Sequence, residues 1–160
     1  QRVKCPAELV AGTLKLAGAY GRPEPGLSGL EGTLVAMGQK LMDPPSVEGW
    51  HTGQEWINSG SLMSRINFVA DLVGDTSLPG VRSIISRLKA QGDLSPKELV
   101  DGCLALLGPI EVQFRTYGYL VDQASEGGAV HWNDDGDVGA SARVTQMLQL
   151  IVATREYQFG

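Results

Sequence analysis

The sequence predicts an all-α fold, with about seven helices around one core and a long ordered Trp/Pro/Gly loop between the second and third helices. Three observations carry this reading. Proline recurs at helix-start positions, in Cys5-Pro6, Leu78-Pro79 and Ser95-Pro96, where its missing N–H is harmless and its fixed φ suits the first turn. Apolar residues recur three and four apart in successive stretches, as one face of a 3.6-residue period requires. No stretch combines sustained alternation with β-branched enrichment, which a strand needs.

The first helix is predicted from Pro6 to about Tyr20, with Glu8 placed to reach back to the N-terminal amides and Leu9, Val10, Thr13, Leu14 and Ala17 on one face. Gly18, Gly21, Pro23, Pro25 and Gly26 then break the pattern. The second helix carries Leu27, Leu30, Leu34, Met37 and Leu41 at helical spacing, and Pro44-Pro45 stops it. Ser59 or Ser61 is expected to cap the third, whose stripe is Leu62, Ile66, Val69 and Val73 and whose end is Gly74. The fourth starts at Pro79 and turns Val81, Ile84, Ile85 and Leu88 inward. Ser95-Pro96-Lys97-Glu98 is a capping box opening a fifth helix that runs to Leu107, where Gly108-Pro109 stops it. A sixth is read from about Ile110 to Ala124, a polar surface loop from Ser125 to Gly139, and a last helix from about Ala140, ending in Tyr157-Gln158-Phe159.

At 160 residues the chain is expected to fold as a single domain over its whole length. It opens at Gln1 without an initiator methionine or a charged-then-apolar leader, and reads as a processed or partial product of a longer protein. No apolar run approaches the ~20 residues of a membrane span. The net charge is −5 with singly scattered lysines and arginines, which argues against nucleic acid as a partner. Two cysteines, Cys5 and Cys103, exclude a disulfide-rich scaffold and a four-thiolate zinc site, and could pair only if the fold brings them together.

Candidate chemistry gathers in Gly38–Phe68, GQKLMDPPSVEGWHTGQEWINSGSLMSRINF. The non-helical part, Asp43 to about Asn58, exceeds the usual connection of ~4–6 residues, and such loops are functional or specially packed. Two readings of its tryptophans stand side by side. In the first, Trp50 and Trp56 plug the helical core, with Val47 and the rigid proline pair helping to anchor the loop, Trp50 largely buried and His51, Gln54 and Glu55 facing outward. In the second, Trp50 and Trp56 form a platform for a sugar, peptide or partner surface, edged by His51, Gln54, Glu55 and Asn58.

This run, with the entry CPAELVAGTLKLAG and the exit MLQLIVATREYQF, resembles the C-terminal part of the bacterial "domain of unknown function 1800" family. The pattern GQ-x-L-x-x-PP-x-V-x-GW-x-x-G-x-x-WI-N is long and specific, and with entry and exit it brackets almost the whole chain. The resemblance implies a large, mostly exported bacterial protein without an established activity, located in the periplasm, at the cell surface or outside the cell. It implies as partners the remaining N-terminal portion of the same protein, or another chain such as a member of the uncharacterised family 1501, often encoded beside it.

Further features carry weaker signals. CPAELVAGTLKLAG and SPKELVDGCLALLG align without a gap, and their mid-helix glycines, Gly12 and Gly102, are expected at close helix crossings. His51 and His131 each adjoin a tryptophan. Glu48, His51 and Glu55 could supply three zinc ligands only if the loop curled, so no metal site is predicted. Asn133-Asp134-Asp135-Gly136-Asp137 resembles half a calcium loop, but counting twelve positions reaches no bidentate Glu, and a solvated turn before the last helix explains it as well. Cys5 at a helix N-terminus lacks a nearby histidine as base. No nucleophile elbow, P-loop or haem motif occurs, and no cofactor is expected. The leading expectation is a non-catalytic helical module working by assembly with a partner. The alternative is a carbohydrate-active or other hydrolytic enzyme using Trp50 and Trp56, with Glu48 or Glu55 as acid or base.

Overall fold

A computed structural model describes residues 3–19, 28–50, 52–132 and 137–159. Among them are eight α-helices and one 3-10 turn: α1 (Pro6–Ala17), α2 (Ser28–Ala36), the 3-10 turn (Gly53–Trp56), α3 (Ser59–Gly74), α4 (Pro79–Lys89), α5 (Pro96–Leu107), α6 (Phe114–Glu126), α7 (Val138–Ala153) and α8 (Arg155–Phe159). The fold is all-α, and no strand occurs among the described residues. The predicted last helix is two, because Thr154 adopts extended geometry and separates α7 from α8.

Local chemistry sets most of these boundaries. At α5 the Glu98 carboxylate accepts the Ser95 N–H at 2.8 Å, and Ser95 Oγ accepts the Glu98 N–H at 3.3 Å. At α1 the Glu8 carboxylate accepts the Cys5 N–H at 3.0 Å, and Gly18 ends the helix in the left-handed region. The cap of α3 is Asn58 rather than Ser59 or Ser61: Asn58 Oδ1 accepts the Ser61 N–H and Ser61 Oγ accepts the Asn58 N–H, both at 2.9 Å.

α7 is the central helix, packed against α3, α4, α5, α6 and α8, and α3 connects it to α1 and α2. Buried side chains from all eight helices meet in the core, among them Leu9, Leu34, Val69, Leu88, Leu99, Leu120, Leu148 and Tyr157. An isolated two-way pairing of Leu94 and Val130, both buried, ties the chain before α5 to the chain after α6. Val130 is therefore a core residue inside what the sequence presents as a polar surface loop.

Several expectations are corrected here. α2 stops at Ala36 instead of reaching Leu41, because Gly38 takes positive φ and the Gln39 N–H caps the Leu34 carbonyl. α6 begins at Phe114, four residues late, because its N-terminal turn is capped from a distance. The Glu156 carboxylate accepts the Gln113 N–H at 3.2 Å and the Thr116 hydroxyl at 2.7 Å. The buried face of α3 is Ser61, Arg65, Val69 and Val73, so Leu62 and Ile66 are only partly buried. Gly12 is exposed, and among the described residues a methyl placed on its Cα would have nothing within 4 Å, so it makes no close crossing there; Gly102 does, with Leu88 Cδ2 2.5 Å from such a methyl. The tightest approach is instead at Gly80, where a methyl would collide with the Leu16 carbonyl oxygen and stand 2.5 Å from the Ala17 carbonyl carbon.

Candidate functional site

The segment between α2 and α3 is a surface loop held at two feet. At one foot Gln39 is buried, and its Oε1 accepts the Ala7 N–H at 2.8 Å, so the loop also caps the first turn of α1. At the other foot Trp56, 4% exposed, closes the 3-10 turn, and its carbonyl accepts the Ser61 hydroxyl at 2.8 Å. Large apolar burial at one end and a buried polar contact at the other offset the entropy lost in ordering the chain between them.

From Lys40 to Glu48 the side chains are exposed. Leu41, Met42 and Val47 are exposed, with Pro44 and Pro45 beside them. Met42 is 96% exposed and sits at φ +65°, in the left-handed region that an unbranched non-glycine residue enters at a cost of about 1 kcal/mol or more. The expectation that Val47 anchors the loop is corrected, since its side chain is fully exposed. Local bonds shape the loop: an exposed Lys40–Asp43 ion pair at 2.8 Å, the Asp43 N–H on the Lys40 carbonyl at 3.2 Å, and the Gly49 N–H on the Ser46 carbonyl at 3.1 Å. The hydrogen bond and charge of Asp43 raise the Lys40 amine above its usual value.

The candidate residues take distinct places. Trp50, expected to be largely buried, is partly buried and keeps some surface in solvent. His51 lies outside the described residues. Gln54 and Glu55 are exposed, and Glu55 Oε2 accepts the Thr52 N–H at 3.3 Å, capping the 3-10 turn. Trp56 is buried at the foot of the loop, and Asn58 is the cap of α3. Glu48 is exposed on the loop. Three of these roles are architectural, which leaves Trp50 as the partly accessible aromatic face of the loop.

Other signals resolve away from this loop. His131 Nδ1 meets Asp93 Oδ2 at 2.6 Å, which with the Trp132 N–H holds the Asp93 carboxyl below its usual range, while the Trp132 indole N–H bonds the Gly92 carbonyl at 2.9 Å. Asn133 to Gly136 of the calcium-like run lie outside the described residues; Asp137 pairs with Lys89. Among the described residues no three His, Cys, Asp or Glu side chains gather as metal ligands. Cys5 and Cys103 are free thiols, and burial pushes Cys103 up to about 12.

Two features escaped sequence reasoning. Arg65 is 0% exposed; its Nε and Nη2 donate to Gln158 Oε1 at 3.3 Å and the Gln158 carbonyl at 3.2 Å, and its Nη1 has no hydrogen-bond partner among the described residues. Burial holds this guanidinium below its ordinary value. The second is a cleft of 1090 Å³ between α1 and α5, bordered by the α5–α6 connection and α8. An i, i+4 row containing an arginine gives no sign of the first, and two helices alike in sequence give none of the second.

A family model described as "Protein of unknown function (DUF1800)" matches residues 1–159. The chain belongs to the DUF1800 family. No curated protein and no solved structure matches it. Among the described residues of this DUF1800 chain, no helix is long and apolar enough to cross a membrane.

Proposed function

We propose that this DUF1800 chain is a non-catalytic helical interaction module of an exported bacterial protein. Its Leu41–Trp50 loop docks on the remaining portion of its own polypeptide or on a partner chain, a family 1501 member being the first candidate. The observation that carries the reading is the exposure of Leu41, Met42 and Val47 on a loop whose two feet are fixed by Gln39 and Trp56. Exposed apolar side chains on an anchored segment favour contact with another surface, and the unfavourable backbone at Met42 marks the same segment as a candidate site. Trp50, Gln54 and Glu55 fall on the same segment and would border the contact.

A photo-crosslinking residue at position 47 of the full-length protein in its native host tests this. A discrete crosslinked product, weakened by Met42→Ser and missing from a control at the exposed Arg82, is the expected result. Equal crosslinking at 47 and 82, or none at either, refutes it. The hydrolytic alternative predicts instead that Glu48→Gln and Glu55→Gln abolish turnover of a sugar or peptide substrate while leaving the crosslink intact.

A further inference from the structure

The cleft between α1 and α5 has a shape and a charge pattern of its own. Its α1 wall runs from Lys4 past Gly12 to Leu16, and the helical part, Glu8 to Leu16, spans roughly 12 Å at 1.5 Å per residue. Leu16, Leu104 and Ile110 give it partly open apolar surface, and nothing lies within 4 Å of a methyl built on Gly12, so a neighbouring chain can approach the α1 backbone there. At 1090 Å³ it is at or above the ~300–1,000 Å³ of most small-molecule sites. A wall that follows a helix from Glu8 to Leu16 can accept a rod laid alongside it.

The charges decide which rod. Two of the carboxylates in the cleft are engaged as caps, Glu8 on the Cys5 N–H and Glu156 on the Gln113 N–H and Thr116 hydroxyl. Neither Lys4 nor Lys15 has a carboxylate at ion-pair distance among the described residues: the Lys4 ammonium stands 4.8 Å from the Tyr157 ring centroid with the Glu8 charge acting on it, and Lys15 is exposed. On the other wall Glu111 is exposed and has no ion-pair partner among the described residues. From this complementarity we infer that the cleft receives an amphipathic helix of another polypeptide segment, with carboxylates along the α1 edge facing Lys4 and Lys15 and a basic residue toward Glu111. Helix-in-groove docking joins an apolar stripe to flanking charges in this way, the stripe supplying affinity and the charges orientation. This surface is separate from the Leu41–Trp50 loop and does not depend on it.

The test uses two stapled helical peptides of about 14 residues, long enough at 1.5 Å per residue to cover the α1 wall. They share a leucine stripe; one carries a Glu edge and a Lys edge in the inferred arrangement, and the other has the signs exchanged. Fluorescence anisotropy should show the first binding about tenfold more tightly, a difference of about 1.4 kcal/mol, with the preference shrinking as salt rises. Gly12→Trp and Ala105→Trp fill the cleft from either wall, both at exposed positions that leave the core intact, and each should abolish binding without changing the far-UV circular dichroism. Lys15→Glu should reverse the preference between peptides. Met42→Ser and Val47→Ser should leave binding unchanged, which separates failure here from failure of the loop reading. Equal affinity for both peptides, binding that survives both tryptophan variants, or binding of neither peptide overturns the inference. So does a homodimer dissolved by Gly12→Trp, since the occupant would then be a second copy.

Discussion

Replacing Trp56 with alanine removes the anchor on which the loop reading depends. The indole is 4% exposed, and its carbonyl receives the Ser61 hydroxyl that belongs to the cap of α3. Truncating a buried Trp to Ala costs ~3–5 kcal/mol through lost transfer energy and the cavity left behind. With a urea m-value of roughly 2 kcal/mol/M, that is a fall in the unfolding midpoint of about 1.5–2.5 M. Trp50 keeps part of its surface in solvent, so Trp50→Ala should cost less, ~1–3 kcal/mol on the same scale. The assay is a urea melt followed by far-UV circular dichroism, because tryptophan fluorescence changes with the substitution itself. A Trp56→Ala midpoint within 0.5 M of the parent, on the order of 1 kcal/mol, or a Trp50→Ala loss larger than the Trp56→Ala loss, would refute the assignment of Trp56 as the anchor.

Three further outcomes follow from particular contacts. Gln158→Leu removes the acceptor of the buried Arg65 Nε and should destabilise by ~1.5–3 kcal/mol, measured by denaturant melt, since hydrogen bonds to charged groups lie in that range. Burial pushes the Glu156 carboxyl up, but bonds from the Thr116 hydroxyl and the Gln113 N–H outweigh it and leave the group below its ordinary value. Its stabilisation is then fully present above the unfolded glutamate pKa of ~4.3 and lost as pH falls through the lowered folded value. Acid titration of stability should therefore be shallower for Glu156→Gln than for the parent, and parallel curves would contradict the cap. Gly80→Ala should destabilise by more than ~2 kcal/mol through the clash with the α1 backbone, whereas Gly12→Ala should stabilise by up to ~1 kcal/mol from helix propensity; thermal melts of the two variants measure both.

The fold was legible wherever the determinants lie within one turn of chain. Ser95 to Glu98 and Pro6 to Glu8 carry their caps in three or four consecutive residues, and α5 begins and ends where those signals place it. Boundaries set from a distance were not legible. The start of α6 depends on Glu156, 43 residues beyond Gln113. The phase of α3 is only half legible for a related reason, Val69 and Val73 being buried as the spacing predicts. Leu62 and Ile66 score as core by hydrophobicity, but the 61–65–69–73 row packs inward because Arg65 finds Gln158 on α8. A buried polar contact of that kind has no periodic signature.

The loop and the cleft show the same division in functional terms. Trp56, Asn58 and Glu55 attract attention as aromatic, amide and carboxylate groups, yet those properties are used to close a 3-10 turn and start α3. Leu41 is expected on the α2 face and Val47 as a loop anchor, yet both stand in solvent, Leu41 because the turn at Gly38 ends α2 before it. The pair of similar helices carries the point furthest. α1 and α5 share proline, glutamate, Leu-Val and a mid-helix glycine, and both pack on α4. Yet Gly102 meets the Leu88 side chain on α4, while Gly12 opens onto the cleft. One local solution for starting a helix thus serves two surroundings. Among the described residues Gly12 faces no neighbour within 4 Å, which is the space the inferred partner helix would use.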